Sequence, residues 1–117
     1  MSFREHTGLQ VSEVEDGVGR VVVDAGDHHL NAHGSVHGGV LATMLDAAMG
    51  TAVTATGREL PVTVSLTVTY LEPGQPGRLE ATARVRKAGK RLLVVEGEVT
   101  QDGDVVADAL ATFSVKS

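Results

Sequence analysis

From Pro61 the chain alternates: Val62, Val64, Leu66, Val68 and Tyr70 share one parity, and Thr63, Ser65, Thr67 and Thr69 share the other. A period of two belongs to a strand whose successive side chains point to opposite faces, so this stretch predicts a half-buried strand. The period returns at Leu79, Ala81, Ala83 and Val85 against Glu80, Thr82, Arg84 and Arg86. It returns again at Ala107, Ala109, Ala111 and Phe113, with a further strand expected over Arg91 to Gln101. Proline, glycine and charge interrupt the pattern at Pro73 to Gly77, at Lys87 to Lys90 and at Asp102-Gly103. The C-terminal half therefore reads as an antiparallel meander. Near the start, Leu9 to Val14 and Val18 to Asp24 flank Glu15-Asp16-Gly17, which predicts a hairpin.

Residues 38–56, GGVLATMLDAAMGTAVTAT, follow neither pattern. Apolar or small residues lie on every side with no turn-forming pair, which predicts a helix of about 17 residues enclosed on most sides. A membrane span has similar length, but the threonines, Gly50 and central Asp46 oppose it. A mid-bilayer carboxylate costs roughly 2.5 to 3.5 kcal/mol. A helix wrapped by a curved sheet meets the same demand for enclosure.

Composition narrows this further. With 117 residues the chain is expected to form one domain, 1–117, with no room for a separate cofactor domain. Hydrophobic residues make up 42% and aromatic ones only 3%, so Val, Ala and Leu must fill the core. A formal charge of -5 opposes a nucleic-acid partner. The lack of cysteine excludes disulfides, thiolate metal sites and a Cys nucleophile. The charged, unapolar first twenty residues give no signal-peptide pattern, so a cytoplasmic location is expected.

Between His28 and Gly57 the one formally charged side chain is Asp46. Inside an enclosed helix it must be hydrogen-bonded, protonated or open to a wet cleft. A structural carboxylate satisfied by a hydroxyl is the plain alternative to a functional one. Just before the helix runs Asn31-Ala32-His33-Gly34-Ser35-Val36-His37-Gly38-Gly39. Its glycines bare the first helical N-H groups, whose positive dipole end suits an oxygen gaining negative charge. Asp46 follows Gly39 by about two turns, roughly 10 Å along the axis, too far to act with it on one atom. A symmetric dimer offers a way to bring Asp46 of one subunit to Gly39 of the other.

His29, His33 and His37 are spaced as one helix face, but Asn31, Gly34 and Gly38 oppose a helix there, and no metal site is expected. His6, His28 and His29 are expected at the surface. Arg84, Arg86, Lys87, Lys90 and Arg91 straddle one turn and read either as a solvated turn or as a dock for a phosphorylated ligand.

Asn31, Gly34, His37-Gly38-Gly39 and Asp46, followed by Thr69-Tyr70-Leu71-Glu72-Pro73, resemble the hotdog-fold acyl-CoA thioesterases of the phenylacetate-degradation, or PaaI-like, type. The similarity runs from about Gly26 to Val115. It implies an α+β hotdog fold: a long central helix wrapped by a curved antiparallel sheet of five to six strands. It also implies subunits joined edge to edge as dimers, often paired into tetramers, with active sites at the interface. On this resemblance Asp46 is nucleophile or general base and the Gly39 N-H polarises the thioester carbonyl. Asn31 and His37 position carbonyl or water, and Thr63 orients the carboxylate or water. Gly38, Arg84, Lys90 and Arg91 are expected to bind the acyl-CoA substrate, with no cofactor. A non-catalytic acyl-CoA-binding or regulatory domain is the alternative.

Overall fold

A computed structural model of the chain describes residues 2–116. In order it contains α1 (Phe3–Thr7), β1 (Gln10–Glu15), β2 (Val18–Ala25), a 3-10 turn (Asp27–His29), α2 (Gly38–Thr54), β3 (Val62–Tyr70), β4 (Gly77–Ala88), β5 (Leu92–Gln101) and β6 (Asp104–Ser114). The strands form one antiparallel sheet in the order β1-β2-β4-β5-β6-β3. The meander expected for the C-terminal half is confined to β4, β5 and β6. β3 instead pairs with β6 at the far edge, and β4 pairs with β2.

α2 forms where the pattern placed it, and its buried residues are Leu41, Met44, Leu45, Ala48, Met49, Ala52 and Val53. Those positions repeat at three and four, the stripe of a helix with one face in a core. The enclosure expected on most sides is met on one face: Val40, Thr43, Asp46, Ala47 and Gly50 on the other side are only half-buried. The small residues on that side, rather than burial, made the helix look uniformly apolar.

α2 touches all six strands, and a sheet that meets one helix from every strand has to curve around it. Two glycines set the closeness. A Cβ on Gly19 of β2 would lie 2.5 Å from the Ala48 carbonyl oxygen and 2.8 Å from the Ala52 nitrogen, so the helix backbone rests on the strand there. A Cβ on Gly97 of β5 would meet Met49 and Leu45 at 3.2 and 3.3 Å. The Asp102-Gly103 turn between β5 and β6 has positive φ at both residues, as a two-residue hairpin loop requires.

The alternation in β3 is broken by a register shift between Thr63 and Ser65: Thr63 pairs with Phe113 and Ser65 with Thr112. One extra residue in a strand re-aims its neighbours. Leu66 and Val68 pack against the core, whereas Val62 and Val64 are each 59% exposed. Among the described residues no helix is long and apolar enough to cross a membrane.

Candidate active site

The loop before α2 is folded by its own side chains. Asn31 Oδ1 accepts from the His33 N-H at 2.8 Å and the Ser35 N-H at 3.2 Å, while Asn31 Nδ2 donates to Ser35 Oγ at 3.0 Å. Gly34 completes the turn at φ 81°. The loop is then tied to the sheet: the Val36 N-H donates to the Gly74 carbonyl at 2.7 Å. Gln101 grips the neighbouring Gln75 backbone from both sides, accepting at 2.8 Å and donating at 2.7 Å.

His37 is the N-cap of α2, and its Nδ1 accepts from the Gly39 N-H at 3.0 Å. The N-H expected to be bare is thus covered by the adjacent imidazole. The acceptor role of Nδ1 puts the proton of a neutral His37 ring on Nε2. At the other end of the Gly38-Gly39 peptide, Tyr70 Oη donates to the Gly38 carbonyl at 2.9 Å. Thr43 Oγ1 donates to the Gly39 carbonyl at 2.7 Å.

Asp46 lies half-buried on the same helix, and Thr63 Oγ1 donates to its Oδ1 at 2.7 Å. The bulge in β3 explains this contact, because it turns Thr63 toward α2. Of the three states open to this carboxylate, two hold together: it is hydrogen-bonded, and it borders a cleft of about 450 Å³ with Phe3, Arg4, Thr43, Ala47 and Leu66.

Gly39 and His37 border a neighbouring cleft of about 370 Å³ that shares Phe3 and Thr43 with the first. The two clefts, one bordered by Gly39 and the other by Asp46, adjoin at Phe3 and Thr43. Asn31 and Gly38 open instead onto a cavity of about 350 Å³ with Tyr70, Leu71 and Glu72. Within one chain, the expected site residues divide between the two sides of the helix start.

The basic turn stands apart. Arg84 and Arg86 line a cavity of about 570 Å³ against the sheet, with Thr67, Thr69, Glu96, Glu98 and Asp108. Arg86 pairs with Glu96 at 3.7 Å. Lys90 and Arg91 are exposed between β4 and β5, where the Lys90 carbonyl accepts from Arg58 and the Arg91 carbonyl from the Val115 N-H. None of Arg84, Lys90 and Arg91 lines the clefts of Asp46 and Gly39.

One histidine departs from expectation. His29 is 4% exposed, not a surface residue. Its Nδ1 accepts from the Gly26 N-H at 2.9 Å, which leaves Nε2 to donate to the Thr7 carbonyl at 2.7 Å. Its own carbonyl accepts from the His37 N-H at 2.8 Å. His29 thus joins α1, the end of β2 and the start of α2, and both ring nitrogens are committed to backbone. Tyr70 stands in the strand-end motif and His29 in the histidine run, but neither these nor Thr43 takes a site role from the sequence; their roles depend on contacts between residues distant in the chain or along α2.

A profile of the Thioesterase superfamily matches residues 33–107. Human acyl-coenzyme A thioesterase 13 is 33% identical over 95 residues, 78% of this chain and 68% of that protein. The acyl-coenzyme A thioesterase PaaI of Escherichia coli is 33% identical over 93 residues, 79% of this chain and 66% of that protein. A Streptococcus mutans protein solved with bound acetyl-CoA superposes with a TM-score of 0.87 at 30% identity, covering 93% of this chain and 89% of that one. The matched span contains the His37-Gly38-Gly39 helix start, Asp46 and the strand that carries Thr63, on the same fold. The chain belongs to the thioesterase superfamily, as a hotdog-fold protein of the PaaI-like type.

Proposed function

We propose that the chain hydrolyses acyl-CoA thioesters to a free acid and coenzyme A. The observation that carries this reading is the Thr63-Asp46 hydrogen bond of 2.7 Å, which fixes a half-buried carboxylate beside an open cleft. Asp46 draws a proton from water as it attacks the thioester carbon, or attacks that carbon itself to give a mixed anhydride that water then opens. In either route the C-S bond breaks and coenzyme A leaves as a thiolate. A thiol of pKa near 8.5 needs no strong acid to depart.

The developing oxyanion is received by the Gly39 N-H at the positive end of α2. For this the carbonyl oxygen takes the place of His37 Nδ1, and the displaced imidazole is free to position carbonyl or water together with Asn31. Gly38 keeps the approach open. The active unit is a dimer in which Asp46 of one subunit serves the Gly39 end of the other. Its joint is the free edge of β3, which bears the exposed Val62 and Val64. Arg84, Lys90 and Arg91 hold the phosphates of coenzyme A from outside the two clefts. This reading predicts that Arg91→Glu raises KM more than it lowers kcat and weakens the salt dependence of KM.

Thiol release from a panel of acyl-CoAs tests the reading. Asp46→Asn should lose about 10² to 10⁴ in kcat, and equal activity in both proteins removes Asp46 from the mechanism. The covered Gly39 N-H favours one rival, a domain that holds acyl-CoA without turnover. Tight binding with no thiol release across the panel would select it.

A further inference from the structure

Tyr70 closes β3, and the hydroxyl end of its ring lies against the start of α2: a Cβ on Gly38 would come within 3.2 to 3.4 Å of Tyr70 Cζ, Cε1 and the hydroxyl oxygen. The hydroxyl donates to the Gly38 carbonyl at 2.9 Å. That carbonyl and the Gly39 N-H are the two poles of a single peptide group, held coplanar and opposed by the partial double bond between them. Whatever fixes the carbonyl fixes the direction of the N-H. Whatever draws electron density onto the carbonyl oxygen makes the N-H a stronger donor, since hydrogen bonds in series polarise one another.

Two glycines in succession open α2, so no side chain of its own restrains this peptide at the helix start. Its neighbours do not hold it in the same way. His37 Nδ1 grips the N-H itself and must release it for substrate, and Thr43 binds the next carbonyl, that of Gly39. Tyr70 is placed to hold the peptide through that exchange, because it binds the pole that substrate does not touch.

We propose that Tyr70 is a positioning residue for the oxyanion donor, acting through the Gly38-Gly39 peptide. It touches neither the thioester nor Asp46, and it aims and polarises the N-H that receives the developing negative charge. The inference rests on the thioester-hydrolase reading of the Gly39 end. It extends that reading to a residue on a different element, across a cavity from Asn31.

A donor matters more as charge builds on its acceptor, so the effect belongs to the transition state rather than to ground-state binding. In Tyr70→Phe the ring remains over Gly38 and only the hydroxyl goes. The expected result is a kcat lower by about 5- to 20-fold, part of the loss from removing a whole oxyanion donor, with KM within about two-fold of wild type. In the proton-nitrogen spectrum, the Gly39 amide nitrogen should shift well beyond the spread of distant amides, since its own peptide carbonyl loses a partner. An unchanged kcat in Tyr70→Phe overturns the proposal, as does a loss that falls on KM alone. A wild-type chain that releases no thiol from any acyl-CoA defeats the hydrolase reading. The Gly39 resonance then still decides the peptide linkage, and an unmoved signal overturns it.

Discussion

At the scale of single residues, the site is held by side chains whose hydrogen bonds are spent on backbone. His29 is the clearest case. Its ring joins the Gly26 N-H to the Thr7 carbonyl, and its carbonyl receives the N-H of the helix cap His37. Removing the ring orphans two backbone groups in a buried place, at about 1–3 kcal/mol for each. His29→Ala should therefore lower the thermal midpoint by several degrees and release α1 from the clefts it lines, which faster amide exchange at Gly8 and Leu9 would report. A midpoint equal to wild type would mean that water replaces the ring without cost. Thr63 is tested by two substitutions. Thr63→Ser keeps the hydroxyl that donates to Asp46, and Thr63→Val keeps the shape without it. A hydrogen bond to a charged group contributes about 1.5–3 kcal/mol, so Val should cost roughly 10- to 100-fold in kcat and Ser far less. Equal losses in the two would assign the effect to packing.

At the scale of elements, the β3 bulge links fold to chemistry. Deleting Val64 removes the extra residue and leaves Thr63 two positions before Leu66, still opposite Phe113 and on the face of Leu66 and Val68. The sheet should still form and kcat should stay within a few-fold of wild type; a fall as deep as in Thr63→Val would show that facing α2 is not enough and that the bulged backbone itself aims Thr63. This explains what the sequence disclosed and what it withheld. Strands with a clean period of two and the small-residue helix were legible because each carries its own local periodicity. The bulge was not, since Val62 to Tyr70 alternates perfectly on paper and the shift arises only in pairing with β6. α1 escaped notice for a related reason: five residues between Ser2, which caps it, and Gly8, which ends it, are too few to show a period. Asp46, Gly39 and His37 stood out by charge isolation and glycine spacing. Tyr70 and His29 act across 32 and 22 positions of sequence, a separation no local pattern records. Packing of α2 depends likewise on a long-range contact. In Gly19→Ala the new methyl would press on the backbone of Ala48 and Ala52, with no flexible side chain to yield. The expected outcome is a loss of stability by more than about 2 kcal/mol, read from denaturant unfolding, and a change below half of that would show that the helix can lift off β2.

At the scale of the whole molecule, the question is whether one chain holds one site. Gly39 and Asp46 sit on the same helix about two turns apart, roughly 10 Å along its axis, and one thioester carbon cannot meet both at that spacing. The proposed two-fold axis beside β3 would solve this by setting two helix starts against two carboxylates, with two composite sites for each dimer. Mixing two inactive proteins tests the arrangement directly. One is Asp46→Asn. The other is Gly39→Pro, which deletes the N-H in the first turn of α2, where the ladder makes no use of it and proline is tolerated. Each variant alone should be inactive. After unfolding and refolding together in equal amounts, half of the dimers are hybrids, and each hybrid carries one doubly altered site and one intact site. Activity should return to about a quarter of wild type. If Asp46 instead served the Gly39 of its own chain, every site in the mixture would carry one lesion and no activity would return. A third variant, Val64→Lys, places a charge on the exposed edge of β3. It should sediment as a monomer and lose thiol release while keeping its circular dichroism. An active monomer would contradict both the edge-to-edge joint and the shared site, whatever the mixing experiment gave.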